Sequence, residues 1–314
     1  MRAPRYFEKF KCVADRCTHS CCVGWEIDVD EQTLARYLTL PDAKGAWIKE
    51  SVEWGEDGAH FRLCANERCP HLDERGLCRI IKTLGEGYLC DICREHPRFY
   101  NSVSGEWECG LGACCEEAAR LLLAEEDYRT LVCVGEEKCA QNAGTCASFC
   151  AKTWRSALFD VLSDTSLPLE ARCTRIAHTY GVPLQMGREE CYALFASLEY
   201  LSEESRDLLL STVSALFGGD KGGAMDADAP ACERFLAYLI YRHASPAEDE
   251  VSFRRFVGFS LLVTRLFAAL IGEKGLSPVR AAVLLSEELE YSEENTAAIC
   301  LALAPDLEDK NFLV

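Results

Sequence analysis

The sequence Cys12-Val-Ala-Asp-Arg-Cys17-Thr-His-Ser-Cys21-Cys22-Val-Gly-Trp25 places four thiols within eleven residues. Thiolates are the soft, deprotonated donors that zinc and iron–sulfur clusters select, so thiols at this density usually share a metal centre. If the segment is helical, Cys17 and Cys21 lie one turn apart on the same face. Cys22 then projects about 100° around the helix from Cys21. We therefore expect one of these two neighbours to bind metal and the other to pack or to serve a second site.

Two further groups of cysteines follow. In the second, the stretch Asp73-Glu-Arg-Gly76 predicts a tight turn that folds Cys78 back towards Cys69. The third is the C-x-x-C motif Cys90-Asp-Ile-Cys93, a common local metal-binding motif. Four further cysteines are a reserve of possible metal ligands: Cys64, Cys109, Cys114 and Cys115. The predicted metal ligands, enough for two four-coordinate sites, are Cys12, Cys17, Cys21, Cys22, Cys69, Cys78, Cys90 and Cys93.

The identity of the metal stays open at this point. Zinc and a [4Fe–4S] cluster both accept four thiolates. His19, His71 and His96 each lie within three residues of a cysteine. They are either mixed ligands or ordinary hydrogen-bonded histidines. The cysteines from Cys133 to Cys150 are more loosely spaced, and both metal binding and helix packing fit them.

The composition restricts the partners. With 51 acidic against 33 basic residues, the net charge of −18 argues against a nucleic-acid partner. An acidic surface favours a basic or lysine-bearing protein partner, or serves solubility alone. Of the 20 cysteines, 16 lie at or before Cys150. Clustered thiols without a signal peptide or a membrane span predict metal chemistry in the cytoplasm. The four later cysteines, Cys173, Cys191, Cys232 and Cys300, are expected to be small core residues.

The predicted fold is mainly α. A cysteine-rich metal-binding domain with short strands (1–126) precedes a cysteine-containing connector (127–150) and an all-helical domain (151–314). In the first part we expect a strand at residues 25–29, a helix capped by Asp30, and a hairpin near 104–105. The turn at 55–58 predicts either a hairpin or a helix followed by a strand. The glycine-rich stretch 218–223 is predicted to be a linker. The predicted helices of the last part are 147–163, 168–180, 188–200, 203–217, 228–244, 250–273, 277–290 and 293–304.

Sequence signatures of common enzyme sites are missing. The chain has no Walker A motif, no nucleophile elbow and no glycine-rich strand-to-helix turn of the kind that binds S-adenosylmethionine in Rossmann-type folds. Arg94 and Arg98 flank the third cysteine group. We predict that they bind the carboxylate or phosphate of a cofactor, or else neutralise a thiolate site. No catalytic residue is assigned.

Three motifs carry a resemblance to a known family. Cys17-x₃-Cys21-Cys22, Cys69-Pro-x-Leu-x₅-Cys78-x-Ile and Cys93-x₃-Pro97-Arg98 resemble the family of cysteine-rich zinc- or iron-chelating domains. The fuller opening, Phe10-Lys-Cys12 to Gly24-Trp25, is similar to the flagellin lysine-N-methylase branch. The resemblance covers about residues 6–116.

This resemblance implies a bacterial cytosolic enzyme that transfers methyl groups from S-adenosylmethionine to lysines of flagellin. It also implies an iron–sulfur or other metal centre at the cysteines. The alternative is a zinc- or iron–sulfur-binding module without enzymatic activity, for redox, metal handling or protein interaction, with the helical part as a docking platform.

Overall fold

The chain groups into two compact units. The computed structural model describes residues 1–55, 58–135, 149–184, 186–217, 225 and 228–303. Unit 1 comprises Met1–Phe10, Tyr100–Cys114 and Ala118–Val314, and unit 2 comprises Lys11–Phe99 and Cys115–Glu117. These units divide the chain differently from the predicted boundaries at residues 126 and 150, which stay a prediction about domains. The mainly α character is confirmed.

Unit 2 consists of short elements around a small apolar cluster. Its helices are α1 (Glu31–Thr39), α2 (Asp42–Lys49), α3 (Arg79–Leu84) and α4 (Asp91–Glu95), and its hairpin pairs β2 (Val52–Gly55) with β3 (Gly58–Phe61). The shared core includes Ile27, Val29, Tyr37, Ile48 and Phe61. Since the helices have five to nine residues, packing rather than helix propensity must hold them.

Local chemistry sets several of these elements, as the sequence predicts. The Asp30 carboxylate accepts a hydrogen bond from the Thr33 amide at 2.9 Å and caps α1. Alternation before this cap buries Ile27 and Val29 and exposes Glu26 and Asp28. The predicted strand at 25–29 is wrong, since these residues form only an isolated bridge from Asp28 to His60. The Val29 amide donates to the Ala59 carbonyl at 2.7 Å, which attaches this extended stretch to β3.

The sheet of unit 1 has the strand order β4-β5-β1-β6. Its strands are β1 (Arg2–Pro4), β4 (Arg98–Val103, whose first two residues belong to unit 2), β5 (Glu106–Leu111) and β6 (Leu131–Cys133). The N-terminal strand lies between two others, parallel to β5 and antiparallel to β6. Ser104 and Gly105 form the predicted turn between β4 and β5, both with positive φ.

Helices form the rest of unit 1. They are α5 (Glu116–Ala124, whose first two residues belong to unit 2), α6 (Ala151–Leu162), α7 (Leu169–Tyr180), α8 (Arg188–Ser197), α9 (Glu203–Leu216), α10 (Ala229–Leu239), α11 (Glu250–Gly272), α12 (Pro278–Leu285) and α13 (Glu293–Leu303). They match the predicted helices within a few residues, except where α10 and α12 continue as π-helix. The predicted linker 218–223 lies outside the described residues.

The long helix α11 forms the core of unit 1. It packs against α7, α9, α10, α12 and α13. By length and composition it could cross a membrane, which the sequence analysis did not predict. However, 78% of its most apolar window is buried inside the protein, as in the core helix of a folded domain. The late cysteines Cys173, Cys191, Cys232 and Cys300 are fully buried in this helical unit, which confirms their prediction as core residues.

Two π-helical segments carry a buried polar group in unit 1. They are Ile240–Ala244, after α10, and Ser286–Glu290, after α12. The Glu290 carboxylate lies 2.8 Å from His243 Nε2 and 3.5 Å from Arg242 Nε, and it accepts a hydrogen bond from the Tyr238 hydroxyl at 3.0 Å. Burial lowers the pKa of His243, partly offset by Glu290. These contacts fix the two π-helical segments to each other.

Candidate metal-binding site

Five of the eight predicted ligands lie in the apolar cluster of unit 2. Cys69 and Cys90 are buried members of this cluster, and three further thiols pack against it. We call this set the core thiol group: Cys22, Cys69, Cys78, Cys90 and Cys93. Three separate sequence motifs therefore meet in one core.

Backbone hydrogen bonds bring the first two motifs together. The Cys69 amide donates to the Cys22 carbonyl at 3.0 Å. The predicted turn closes with a bond from the Gly76 amide to the Asp73 carbonyl at 3.0 Å, and Leu72 then pairs with Cys78 across it. Chain pairing alone thus brings Cys22, Cys69 and Cys78 into one neighbourhood.

The third motif starts helix α4. Cys90 precedes its first residue and Cys93 lies within it. The Cys93 thiol donates a hydrogen bond to Cys90, which lowers the pKa of Cys90 against the opposing effect of burial and raises that of Cys93. The Tyr37 hydroxyl lies 3.5 Å from Cys90 Sγ. Tyr37 is a neighbour that the sequence did not single out, because its helical spacing indicates only a core residue.

The remaining three predicted ligands lie in the opening loop. Cys12, Cys17 and Cys21 interact electrostatically with one another. A fourth cysteine, Cys115, interacts with Cys12 and Cys17. We call these four residues the loop thiol group.

Glu116 holds this loop in place. Its Oε2 accepts hydrogen bonds from the Thr18 amide at 2.7 Å, the Thr18 hydroxyl at 2.9 Å and the His19 amide at 3.2 Å. These contacts join residues almost a hundred positions apart, so no local spacing could reveal them. The sequence pointed to Cys115 only as one of the four further cysteines that could bind metal.

The neighbouring cysteines Cys21 and Cys22 face different groups. Cys22 packs with the core thiol group and interacts with Cys93. Cys21 interacts with Cys12 and Cys17, and it also donates a hydrogen bond to Cys22. The structure has no helix at residues 17–22, so the helical premise of this expectation is wrong, and which of the two thiols binds metal stays a prediction.

The three candidate histidines differ from one another. His71 Nε2 lies 2.9 Å from the Ser51 hydroxyl and its ring packs on Phe61, and burial lowers its pKa to about 4. It is a hydrogen-bonded core residue. His96 instead lies beside Cys21, and a side-chain hydrogen bond joins the two residues. The amide of His19 bonds to Glu116.

The two predicted cofactor-binding arginines lie next to the third motif. Arg94 forms ion pairs with Asp91 and Glu95 of its own helix. One guanidinium nitrogen of Arg98 donates to the Arg94 carbonyl at 3.3 Å. Their binding of a cofactor stays a prediction.

The other cysteines lie apart from both thiol groups or at their edge. Cys64 is exposed and pairs with Arg68, and Cys109 and Cys114 are buried in unit 1. Cys133 is disulfide-bonded, so it is no free thiol donor. Cys150 Sγ lies 3.8 Å from the Ser104 hydroxyl. Cys139 and Cys146 lie outside the described residues.

Both thiol groups suit a thiolate-bound metal in their chemistry. Burial and neighbouring thiols raise the pKa of Cys17 to about 12 and that of Cys69 to about 11. Deprotonated sulfurs in one neighbourhood repel one another, and a bound metal ion would compensate their charge. Within the described ranges, no three Cys, His, Asp or Glu side chains stand in an arrangement that could hold a metal ion directly. Binding would therefore have to draw the thiols closer together.

Comparison with known proteins places the chain in a family. It is 33% identical to the flagellar biosynthetic protein FliU of Salmonella muenchen over 144 residues, 43% of this chain and 82% of that relative. It is 31% identical over 137 residues to the lysine-N-methylases of Salmonella typhimurium and Salmonella choleraesuis, 41% of this chain but 33% of each relative. No family model and no solved structure matches the chain. Since most of FliU is covered at this identity, the chain belongs to the FliB-like lysine-N-methylase family.

Proposed function

We propose that this chain is a metal-dependent protein-lysine N-methyltransferase that uses S-adenosylmethionine and acts on flagellin in the bacterial cytoplasm. The observation that carries the proposal is the similarity to two proteins named lysine-N-methylase and to a flagellar biosynthetic protein. The gathering of the predicted ligands into thiol groups within unit 2 supports the metal part.

The cysteines of the two thiol groups would hold the metal. A thiolate-bound iron–sulfur cluster supplies a redox-active centre, whereas zinc with four thiolates supplies a structural one. The residues of this chain provide the soft donors, the apolar surroundings that keep water from Cys69 and Cys90, and the Tyr37 hydroxyl beside Cys90.

The proposed reaction has simple requirements. A lysine amine with its usual pKa of about 10.4 arrives as a cation and must lose one proton. Its nitrogen then attacks the methyl carbon of the sulfonium, and the carbon–sulfur bond breaks with its electron pair left on sulfur. The net charge of −18 favours the approach of a cationic side chain.

The test combines donor binding with product analysis on the anaerobically purified chain. We expect saturable binding of S-adenosylmethionine and a mass gain of one methylene per modified lysine of flagellin. Flagellin with acetylated lysines is the matched substrate control, because it keeps the fold but lacks the nucleophile. If the chain does not bind the donor at millimolar concentration, the methyltransferase proposal is wrong.

The predicted cofactor-binding arginines allow a sharper test. Replacing Arg98 by Gln removes a charged group that can donate hydrogen bonds. We therefore expect the affinity for S-adenosylmethionine to fall by about tenfold or more. Arg75→Gln is the control, since Arg75 is an exposed arginine that pairs with Asp15 in unit 2. If both variants bind S-adenosylmethionine with equal affinity, Arg98 is not part of the site that binds it.

A metal-binding module without enzymatic activity is the second candidate. It is favoured by the extent of the match, which covers 33% of each lysine-N-methylase. The activity of those proteins can therefore depend on segments outside the matched region. Metal binding without donor binding in the experiment above would support this candidate.

A further inference from the structure

The buried polar group of unit 1 contains an imidazole held by a carboxylate. His243 Nε2 lies 2.8 Å from Oε2 of Glu290. Burial acts to raise the pKa of Glu290, but Arg242 and His243 together lower it below its usual value, so Glu290 is a carboxylate that only accepts hydrogen bonds. The proton between the two residues therefore belongs to Nε2. The second ring nitrogen, Nδ1, keeps its lone pair and can take up a proton.

Contacts from several parts of unit 1 hold this carboxylate in place. The Tyr238 hydroxyl donates to Glu290 at 3.0 Å and accepts from the Ala113 amide at 2.9 Å. It also accepts a hydrogen bond from Arg242 Nη1 at 3.0 Å. The side chain of Glu290 has no exposed surface, whereas that of His243 keeps 12% of its surface exposed. A buried acid behind a partly exposed imidazole is the order found in catalytic dyads and triads.

Departures from regular backbone geometry mark the same place. Both segments that carry the polar group, Ile240–Ala244 and Ser286–Glu290, are π-helical, and π-helical turns are frequent at functional sites. At Gly112, which follows β5, a Cβ atom would overlap the Tyr291 hydroxyl and lie 2.6 Å from Arg242 Nη1. Only glycine lets the chain pass this closely. These features favour a functional role over a purely structural one.

The surroundings of His243 suit a cationic amine that has to lose a proton. The imidazole packs on Phe256 and Phe259, with ring centroids 5.9 and 5.4 Å away. Within the described part of the chain, its only hydrogen-bond partner is Glu290. Burial lowers the pKa of His243 while Glu290 acts against it, so the ring is neutral at neutral pH. Apolar rings and the nearby Arg242 cation would both lower the pKa of an incoming ammonium group.

We propose that His243 is the general base of the methyl transfer and takes the proton of the substrate lysine on Nδ1. Glu290 is a positioning residue, because it fixes the imidazole through Nε2 and leaves Nδ1 for the substrate. This inference rests on the proposed function, in which the proton acceptor is not yet assigned.

The atoms of the step balance. An N–H bond of the lysine ammonium breaks, its proton moves to Nδ1 of His243, and its electron pair stays on the lysine nitrogen. This pair forms the bond to the sulfonium methyl carbon, and the pair of the broken carbon–sulfur bond stays on sulfur. His243 then releases its proton to water.

The pH dependence of single-turnover methylation tests the role of His243. A base-assisted reaction starts from the lysine ammonium and the neutral imidazole, so its rate is constant between their usual pKa values of about 10.4 and 6.5. Without a base only the free amine reacts, and the rate rises about tenfold for each pH unit. We therefore expect a constant rate for the wild-type chain with flagellin, and a rising rate for His243→Gln.

The size of the effect and a matched variant complete this test. At neutral pH, His243→Gln should be slower by about 10²- to 10⁴-fold, the usual contribution of a general base. Its amide can still donate to Glu290, and its affinity for S-adenosylmethionine should stay at the wild-type level. His178→Gln, a change at an exposed histidine of α7, should keep the wild-type rate and profile.

Two failures of this test are distinguishable. If the wild-type chain binds no S-adenosylmethionine and methylates no lysine, the proposed function is wrong and this inference falls with it. If the wild-type chain methylates flagellin but its rate rises about tenfold for each pH unit, only this inference is wrong. A constant rate in His243→Gln would contradict it in the same way.

Glu290 has a separate readout. The negative charge of Glu290 acts to raise the pKa of His243, so Glu290→Gln should move the acid edge of the rate profile to lower pH. At this edge the rate falls because His243 becomes protonated. Circular dichroism of the same samples gives the folded fraction. A variant that loses folded protein but keeps the edge at the wild-type pH would show that Glu290 is only structural.

NMR tests the proton position without any substrate. In the full-length chain labelled with nitrogen-15 at histidine, we expect the His243 proton on Nε2 at neutral pH. Its signal is identified by its absence from the His243→Gln variant. A proton on Nδ1 at neutral pH would overturn the inference.

Chemical modification tests the contact with the lysine amine. Diethylpyrocarbonate reacts with neutral imidazoles, and mass spectrometry locates the product. Flagellin should slow the modification of His243, whereas flagellin with acetylated lysines should not. His178 should react equally fast with both. Equal modification of His243 in the presence of either flagellin would contradict a contact between His243 and the substrate amine.

Discussion

Cysteine residues in the two units differ in their neighbours rather than in their burial. Cys90 in unit 2 and Cys232 in unit 1 are both fully buried. Around Cys90 lie Cys93, Cys69 and the Tyr37 hydroxyl, whereas Cys232 lies in the apolar interior of the helical unit. A buried thiol within an apolar helical core is thus a core residue, and one among several other thiols is a candidate ligand.

The same contrast applies to how each unit is held together. Unit 1 buries the long helix α11 under five other helices. Unit 2 has helices of at most nine residues and a core in which five cysteines take part. A unit of this kind depends strongly on what binds its thiols.

Removal of the metal should have the largest effect and should act on one unit. In small zinc domains the metal contributes about 10 kcal/mol or more to folding. A chelator added to the anaerobic protein should therefore abolish amide-exchange protection in residues 11–99 and leave that of residues 151–303. Hydrogen exchange with mass spectrometry measures both units at once, and chelator preloaded with zinc is the control. Unchanged protection in unit 2 would show that its fold does not require metal.

Loss of the buried carboxylate in unit 1 should have the next largest effect. Glu290→Gln leaves Arg242 and His243 without their anionic partner, at a cost of about 3–5 kcal/mol in unfolding free energy. Glu203→Gln is the control, because its exposed pair with Arg206 contributes less than about 1 kcal/mol. Urea unfolding of both variants gives the comparison. Metal content should stay at the wild-type level, since the change lies in unit 1.

Mild acid should destabilise unit 1 through His243. Burial lowers the folded-state pKa of His243 below its usual 6.5. As the pH falls through this value, the unfolded chain takes up a proton that the folded chain does not, so the unfolding free energy decreases. This decrease in the unfolding free energy is absent at pH values well above the usual pKa of histidine. It grows as the pH falls and is complete below the folded-state pKa of His243.

Unfolding curves of His243→Gln at several pH values test this prediction. The variant should show a smaller loss of stability on acidification than the wild-type chain. His178→Gln, a change at an exposed histidine of α7, should keep the wild-type pH dependence. Identical pH slopes in all three proteins would contradict the assignment to His243.

Removal of a thiol outside both thiol groups should have the smallest effect. Cys232→Ala deletes one buried atom, so we expect a loss of about 1 kcal/mol and full metal content. Cys90→Ala, an equally buried position in the core thiol group, should lose metal. Metal analysis of the two variants therefore tests the comparison between the units. Loss of metal from the Cys232→Ala variant would contradict the comparison between the two units.

Local patterns predicted the helices and turns, since these depend on neighbouring residues. The Asp30 cap, the turn at residues 73–76 and the helices of unit 1 follow from residue type and apolar spacing. The π-helical segments were not predicted. In them the Ser245 amide bonds to the Ile240 carbonyl and the Tyr291 amide to the Ser286 carbonyl, one residue further than in an α-helix. Apolar periodicity is too coarse to show one extra residue per turn.

The sequence did not predict which distant strands and cysteine motifs lie next to each other. The three residues of β1 are too few to show alternation, although this strand lies inside the sheet. The three cysteine motifs identified the thiols, and the adjacency of Cys21 and Cys22 suggested different roles for them, but the spacing could not tell which partners each would have. Cys115 was missed as a partner of the loop because Glu116 joins it to Thr18 across 98 positions.

The position of β1 in the sheet has a consequence for synthesis on the ribosome. Its partners are β5 and β6, so residues 2–4 cannot complete their pairing before residue 133 has been made. Residues 11–99 are finished well before that point and contain every member of the core thiol group. The loop group needs Cys115, which emerges later. We therefore expect a nascent chain to assemble its core thiols first, then the loop thiols, and to close its sheet last.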